Sequence, residues 1–294
     1  MVLATLGLLE IGLRFMLGNL GMPALDTSGR DGRCIALEPG TSVDYTGYTL
    51  RVPTVHNDVS SLGYRGRERP VDEPENTLRI LLVGDSFTYG MGVEADETIG
   101  AQMERILEGR ISRNVEVLNF GIPGINLEES LEQYRLFASK WKHDLVLYDF
   151  FDNDFEPPLC DQLSPRLSLW LLKHFYVFRP VAILFWGSLF PSDYDTEAIE
   201  TRLSAALGGF VDKARESGAA FGVVMIGGNH NDRDRKDVGE LAARLGFHWF
   251  DVNRECSREI PEIPFEHHYT VEGNRVVAAC LADWLERTGL SERR

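Results

Sequence analysis

The stretch Leu78 to Gly84, followed at once by Asp85-Ser86, constrains this chain more than any other feature. Six of its seven residues are apolar or glycine, the composition of a strand buried on both faces in a parallel sheet. A run of that kind breaking into Gly84-Asp85-Ser86 predicts a tight strand-to-helix turn. Ligands of open α/β sheets bind outside the carboxyl ends of the strands. A serine opening the next helix there sits where the helix dipole favours negative charge, which suits a nucleophile attacking a carbonyl. The same three residues also make an ordinary capped turn, so the weight falls on partners elsewhere in the chain.

From Leu78 onward, apolar runs and amphipathic stretches alternate. Strands are expected over 78–84, 115–121, 144–151, 221–227 and 247–252, with helices near 96–109, 127–141, 196–217, 236–245 and 272–288. Right-handed crossovers make this an α/β chain, a parallel sheet covered on both faces. In the helix at 127–141, Leu127, Leu131, Tyr134 and Ala138 form one face, with Glu128, Glu129, Glu132 and Arg135 on the other. The acidic residues near its start suit the dipole and are read as structural.

Three further blocks follow Gly84-Asp85-Ser86. The apolar strand Val-Glu-Val-Leu-Asn-Phe-Gly runs into Ile122-Pro123-Gly124, a third runs into Asp152-Asn153-Asp154, and Glu266-His267-His268-Tyr269 stands near the C-terminus. Together these resemble the SGNH, or GDSL, hydrolase superfamily, over roughly residues 57–285. The resemblance implies a three-layer, flavodoxin-like α/β fold with a five-stranded parallel sheet of strand order 2-1-3-4-5. It makes Ser86 the nucleophile and His268 the general base, with His267 as its adjacent competitor. The oxyanion hole would comprise the N–H groups of Ser86 and Gly124 and the side-chain amide of Asn153. Gly124 rather than Gly121 fits, because the family spacing puts the glycine five residues after the asparagine that here is Asn119. Asp85, Asp154 and His267 are expected against the substrate.

The residue types suit the chemistry. A serine hydroxyl is a poor nucleophile until an imidazole takes its proton, and an acceptor on the other ring nitrogen must hold the right tautomer. Glycine lets a backbone N–H approach substrate closely, and asparagine offers a neutral donor. The chemistry requires no metal or cofactor. Two departures stand out. Where the family usually carries an aspartate three, or in some branches two, residues before the histidine, Phe265 and Glu266 stand. Glu266 is therefore taken as the acid member, with a Ser-His dyad oriented by a backbone carbonyl in reserve. Phe151 replaces a frequent glycine, so the wall beside Asn153 should be bulkier.

With 294 residues, 44% of them hydrophobic, the chain suits one large α/β domain with an appendage. The net charge of -15 argues against nucleic-acid binding through a basic surface. Cys34, Cys160, Cys256 and Cys280 form no CxxC pair and are expected as small buried thiols. Residues 1–25 are apolar, but Glu10 and Arg14 interrupt them well short of the ~20 uncharged residues a bilayer span needs. Leu8 to Leu17 looks like the tail of an N-terminal anchor of bacterial relatives, and fits a surface-packed amphipathic helix equally. An extracytoplasmic or membrane-associated setting, with peripheral association through this segment, follows from the first reading.

Residues 26–77 read as an extended arm, in which Asn57, Gly63 and Arg65 either line the edge of the site or belong to a loop of turn-formers. The hydrolase domain spans 78–290, with an aromatic-rich insertion at 155–195 that forms a lid or packs on the body of the domain. The segment from Gly227 to Asp237 mixes His230 with acids and bases at no familiar ligand spacing and is read as a solvated loop, with Asn229 or His230 near substrate. His56, His143, His174 and His248 are expected at the surface or in satisfied core positions. The expected function is cleavage of an acyl ester, on a carbohydrate or an amphiphilic molecule, through an acyl-serine. The alternatives are an O-acyltransferase using the same Ser-His site and a catalytically silent binding protein of this fold.

Overall fold

The computed structural model describes residues 7–13, 35–45, 55–72, 74–155, 196–228, 230–264 and 268–292. A short helix, α1, covers 7–13. In the arm, β1 (Ser42–Tyr45) and β2 (Val55–Asp58) pair antiparallel. Five strands then form one parallel sheet: β3 (Thr77–Val83), β4 (Asn114–Asn119), β5 (Leu145–Phe150), β6 (Ala220–Met225) and β7 (His248–Asp251). Their order is β4-β3-β5-β6-β7, which reads 2-1-3-4-5 when the sheet is numbered by itself. Each lies within one or two residues of the boundaries expected from the apolar runs.

The helices are α2 (Ser86–Tyr89), α3 (Ile99–Glu108), α4 (Leu127–Leu136), α5 (Thr196–Glu216), α6 (Asp232–Leu245), α7 (Val252–Glu255) and α8 (Val271–Arg287). Alternate side chains of β3 divide them into two layers. Leu81 and Val83 pack with α4, α5 and α6, whereas Leu78, Ile80 and Leu82 pack with α3 and α8. All seven residues of β3 are buried, and covering a leucine-sized side chain contributes about 1.5–3 kcal/mol. Arg79, the one charge in this run, is fully buried and ion-paired with Glu116 at 2.6 Å. Helix α4 begins with a reciprocal cap, Asn126 accepting from the Glu129 N–H at 2.9 Å while Glu129 accepts from the Asn126 N–H at 3.1 Å, as expected for structural acids.

One expectation is overturned. Cys256 and Cys280 are buried as anticipated but are joined in a disulfide, with Cα atoms 5.6 Å apart. The residue just after α7 meets the middle of α8, so thiols 24 residues apart in sequence come together. Only packing creates that encounter, and cysteine spacing carries no trace of it. Cys34 and Cys160 lie outside the described residues, as does the insertion at 156–195. Among the described residues no helix is long and apolar enough to cross a membrane.

Candidate active site

The site forms where β3 ends. Gly84 and Asp85 turn the chain, and Ser86 opens α2 at 9% exposure. Asp85 caps this single-turn helix, its carboxylate accepting from the Phe87 N–H at 2.9 Å. His268 Nε2 stands 2.9 Å from Ser86 Oγ. Two residues from opposite ends of the domain thus meet within hydrogen-bond reach.

The histidine is presented by a braced loop. The Ile263 N–H donates to the His268 carbonyl at 2.6 Å, and the Thr270 N–H donates to that of Pro261 at 3.0 Å. Thr270 then caps α8 by accepting from the Gly273 N–H at 3.1 Å. Gly273 is required here by close approach, because a Cβ would come within 2.2 Å of the Pro261 carbonyl oxygen. The His268 ring lies 5.1 Å from Phe87, which also contacts Phe151 at 4.8 Å and Tyr269 at 5.0 Å. The Gly227 N–H donates to the Tyr269 hydroxyl oxygen at 2.8 Å, fixing this aromatic wall to the end of β6. Phe151 adds its ring to this wall through Phe87.

The most consequential residue not singled out from sequence is Asp149, near the end of β5. Its carboxylate accepts from the Asp85 N–H at 3.0 Å, the Thr88 N–H at 2.8 Å and the Thr88 hydroxyl at 2.6 Å. Burial, and next the charge of Asp85, push its carboxyl well above the usual carboxylate range, against the pull of these donors. The available signal was a lone acid inside an otherwise apolar strand, a position that demands partners. The arm contributes as well. Arg65, 3% exposed, donates to the carbonyls of Tyr89, Gly90 at 2.7 Å and Val93 at 2.6 Å. It also stacks over the Tyr89 ring at 4.4 Å, and the Tyr89 hydroxyl donates to Asn57 Oδ1 at 3.0 Å. Asn57 and Arg65 therefore hold α2 from behind, where a cation is favoured at a helix C-terminus.

The exit of β4 is bonded to the same turn. The Ile122 N–H donates to the Gly84 carbonyl at 3.0 Å, and Asn119 donates to the Thr88 carbonyl at 2.7 Å. Gly121 sits against the backbone of Tyr89, and Gly124 occupies an exposed turn just beyond, at φ +83°. Asn153 lies in a 3-10 turn, Asp152–Phe155, at the end of β5, but its side chain falls outside what the structure describes. Glu266 and His267 lie outside the described residues.

Asp85 and Asp154 differ from expectation. Both are only 2% exposed, and the Asp154 carboxylate accepts from the Phe151 N–H at 2.8 Å. Each carboxylate accepts from a nearby backbone N–H within the turns that carry Ser86 and Asn153. Burial pushes the Asp154 carboxyl well above its usual range. The segment read as a solvated loop also departs from that reading: His230 is buried, and Asp232 onward forms α6. The loop folds back over β5, and the His230 ring stacks on Phe150 at 5.6 Å. Asn229 is outside the described residues. His143 is a satisfied core histidine, between the Tyr134 hydroxyl at 2.9 Å and the Trp141 carbonyl at 2.6 Å.

No protein-family model and no curated protein sequence matches the chain. Among solved structures it is similar to the psychrotrophic esterase EstA from Pseudoalteromonas sp., at 13% identity and TM-score 0.49, covering 73% of this chain and 98% of that one. It is also similar to a lipase/acylhydrolase from Enterococcus faecalis, at 15% identity and TM-score 0.47, covering 72% and 96%. A third is AlinE4, an SGNH-hydrolase family esterase, at 14% identity and TM-score 0.44, covering 74% and 98%.

Proposed function

We propose that this chain is a serine ester hydrolase of the SGNH/GDSL type. The observation that carries the reading is the 2.9 Å approach of His268 Nε2 to Ser86 Oγ at the carboxyl end of a central parallel strand. In this reading Ser86 Oγ attacks the ester carbonyl carbon as His268 takes the hydroxyl proton, and the carbonyl electron pair moves onto oxygen. The N–H groups of Ser86 and Gly124 and the amide of Asn153 receive that oxyanion. Collapse breaks the bond to the alcohol, which leaves with the proton from His268, and the acyl group stays on Ser86. Water, deprotonated by the same nitrogen, then adds to the acyl carbon, and Ser86 departs as its proton returns. Glu266 orients the imidazole.

The wall of Phe87, Phe151 and Tyr269 beside the His268 ring supports an ester with an apolar acyl part or a small acyl group. The Cys256–Cys280 disulfide fits an oxidising, extracytoplasmic compartment. Leu8, Leu9 and Ile11, exposed on α1, fit peripheral association with a membrane.

The test is hydrolysis of p-nitrophenyl acetate and butyrate by the wild type and Ser86→Ala, with fluorophosphonate labelling of both. The expected results are a loss of roughly 10⁴–10⁶-fold in kcat and labelling only of the wild type. Unchanged turnover in Ser86→Ala, or a folded wild-type protein that resists the probe, overturns the reading.

A further inference from the structure

Beyond the serine chemistry, and independent of it, one group of side chains has no role in the site described above. His230 leaves the end of β6 with its side chain fully buried. Its Nε2 lies 3.1 Å from the Ile226 carbonyl oxygen, which can only accept, so this nitrogen carries the proton. Nδ1 then faces inward, buried and with no hydrogen-bond partner. It stands 3.2 Å from Asp152 Oδ1, without the alignment a hydrogen bond needs. An imidazole lone pair held against a carboxylate is repulsive unless positive charge lies between them.

Asp234 completes the arrangement. One donor atom each from Asp152, His230 and Asp234 lies within 4.8 Å of the others. Ligand atoms on a four-coordinate ion with bonds of about 2.0–2.2 Å stand roughly 3.3–3.6 Å apart, so shifts of about an ångström bring all three onto one cation. The loop makes room for the group. Gly228, at φ +57°, lies so close to Asp152 that a Cβ would come within 2.5 Å of its Oδ2. Neighbouring cations are engaged elsewhere: Arg233 pairs with Glu200 at 2.7 Å and Arg235 with Asp251 at 2.6 Å. The Asp234 carboxylate accepts from the Asn231 N–H at 3.3 Å through one oxygen, which leaves a second for an ion.

We propose that Asp152, His230 and Asp234 bind a divalent first-row transition ion, with His230 Nδ1 and a carboxylate oxygen from each aspartate as ligands. A histidine ligand that donates its other N–H to a backbone carbonyl is the usual way such a ring is oriented, and Ile226 supplies that carbonyl. The imidazole favours Zn²⁺ over Ca²⁺ and Mg²⁺, while the two carboxylates also suit Mn²⁺. An ion there ties the turn that begins at Asp152 to the loop leaving β6, joining the ends of two adjacent strands beside the serine.

The experiment is calorimetric titration of untagged, chelator-treated protein with ZnCl₂ and MnCl₂, and with CaCl₂ and MgCl₂ for comparison. Asp152→Asn and His230→Gln are titrated in parallel, their folding checked by circular dichroism. One equivalent of Zn²⁺ or Mn²⁺ should bind the wild type more tightly than Ca²⁺ or Mg²⁺, and each variant should bind at least about tenfold more weakly. Absence of binding to the wild type, or affinity unchanged in folded Asp152→Asn, overturns the proposal. So does a His230 ring that ¹⁵N spectra show protonated on both nitrogens near pH 8 and unresponsive to Zn²⁺. None of these readouts depends on ester hydrolysis.

Discussion

The Asp149 carboxylate fills the space that a side chain at Gly84 would need: a Cβ there would lie 1.2 Å from Asp149 Oδ1. The glycine two residues before Ser86 therefore admits the acid that organises the turn, receiving the Asp85 and Thr88 N–H groups and the Thr88 hydroxyl. Gly84→Ala should expel that carboxylate and strand its donors. The expected cost is on the order of 3 kcal/mol in urea unfolding, with loss of ester turnover. Wild-type values for both in Gly84→Ala would refute this account of the turn.

Arg65 is the second brace. Replacing it with methionine keeps much of the stem but leaves the carbonyls of Tyr89, Gly90 and Val93 without the guanidinium. Arg65→Met should lose about 3 kcal/mol of stability and lower kcat more than it raises KM, since α2 carries Ser86 at its other end. A variant of normal stability and kcat would show that the arm is dispensable to the site.

The disulfide closes a loop with His268 midway between Cys256 and Cys280. Cross-linking a loop of this length contributes about 3 kcal/mol. The Cys256→Ser/Cys280→Ser double variant should therefore melt roughly 6–12 °C below the oxidised wild type. Melting curves compared with thiol titration decide the point. Equal midpoints, with the wild type shown to be oxidised, would refute the bracing role.

His143 sets a pH dependence. Burial holds its imidazole below the ordinary 6.5. The unfolded chain takes up this proton near pH 6.5 while the folded chain resists it. The stabilisation is thus complete above that pH and is lost as pH falls through the lowered folded value. Between about pH 7.5 and 5, the thermal midpoint of the wild type should fall more steeply than that of His143→Gln. Parallel curves would remove His143 as the source.

Much of this architecture was legible from local pattern. The strand ending at Val83 and the helix starting at Leu127 announce themselves by apolar period and capping residues, because those signals act over a few neighbouring positions. Ser86 was legible too, as a polar break at the end of a buried run. Asp149 escaped notice because its partners come from another strand end, whereas Arg65 was legible only as a candidate for the edge of the site, since nothing local marks a loop arginine as buried. His230 looked solvated for the same reason: its neighbours in sequence are charged, whereas its neighbours in space are Phe150 and Asp152.

The sequence by itself determined where strands and helices lie, their alternation, and the serine that breaks the buried run after Gly84. Tertiary structure alone decided that Ser86 and His268 stand 2.9 Å apart, that Asp149 and Arg65 lock the helix Ser86–Tyr89, and that Cys256 meets Cys280. The physical reason is range. Apolar periodicity and capping are settled within a turn or two of chain, whereas each of these pairings joins residues whose encounter exists only once two layers of helices have closed on the sheet.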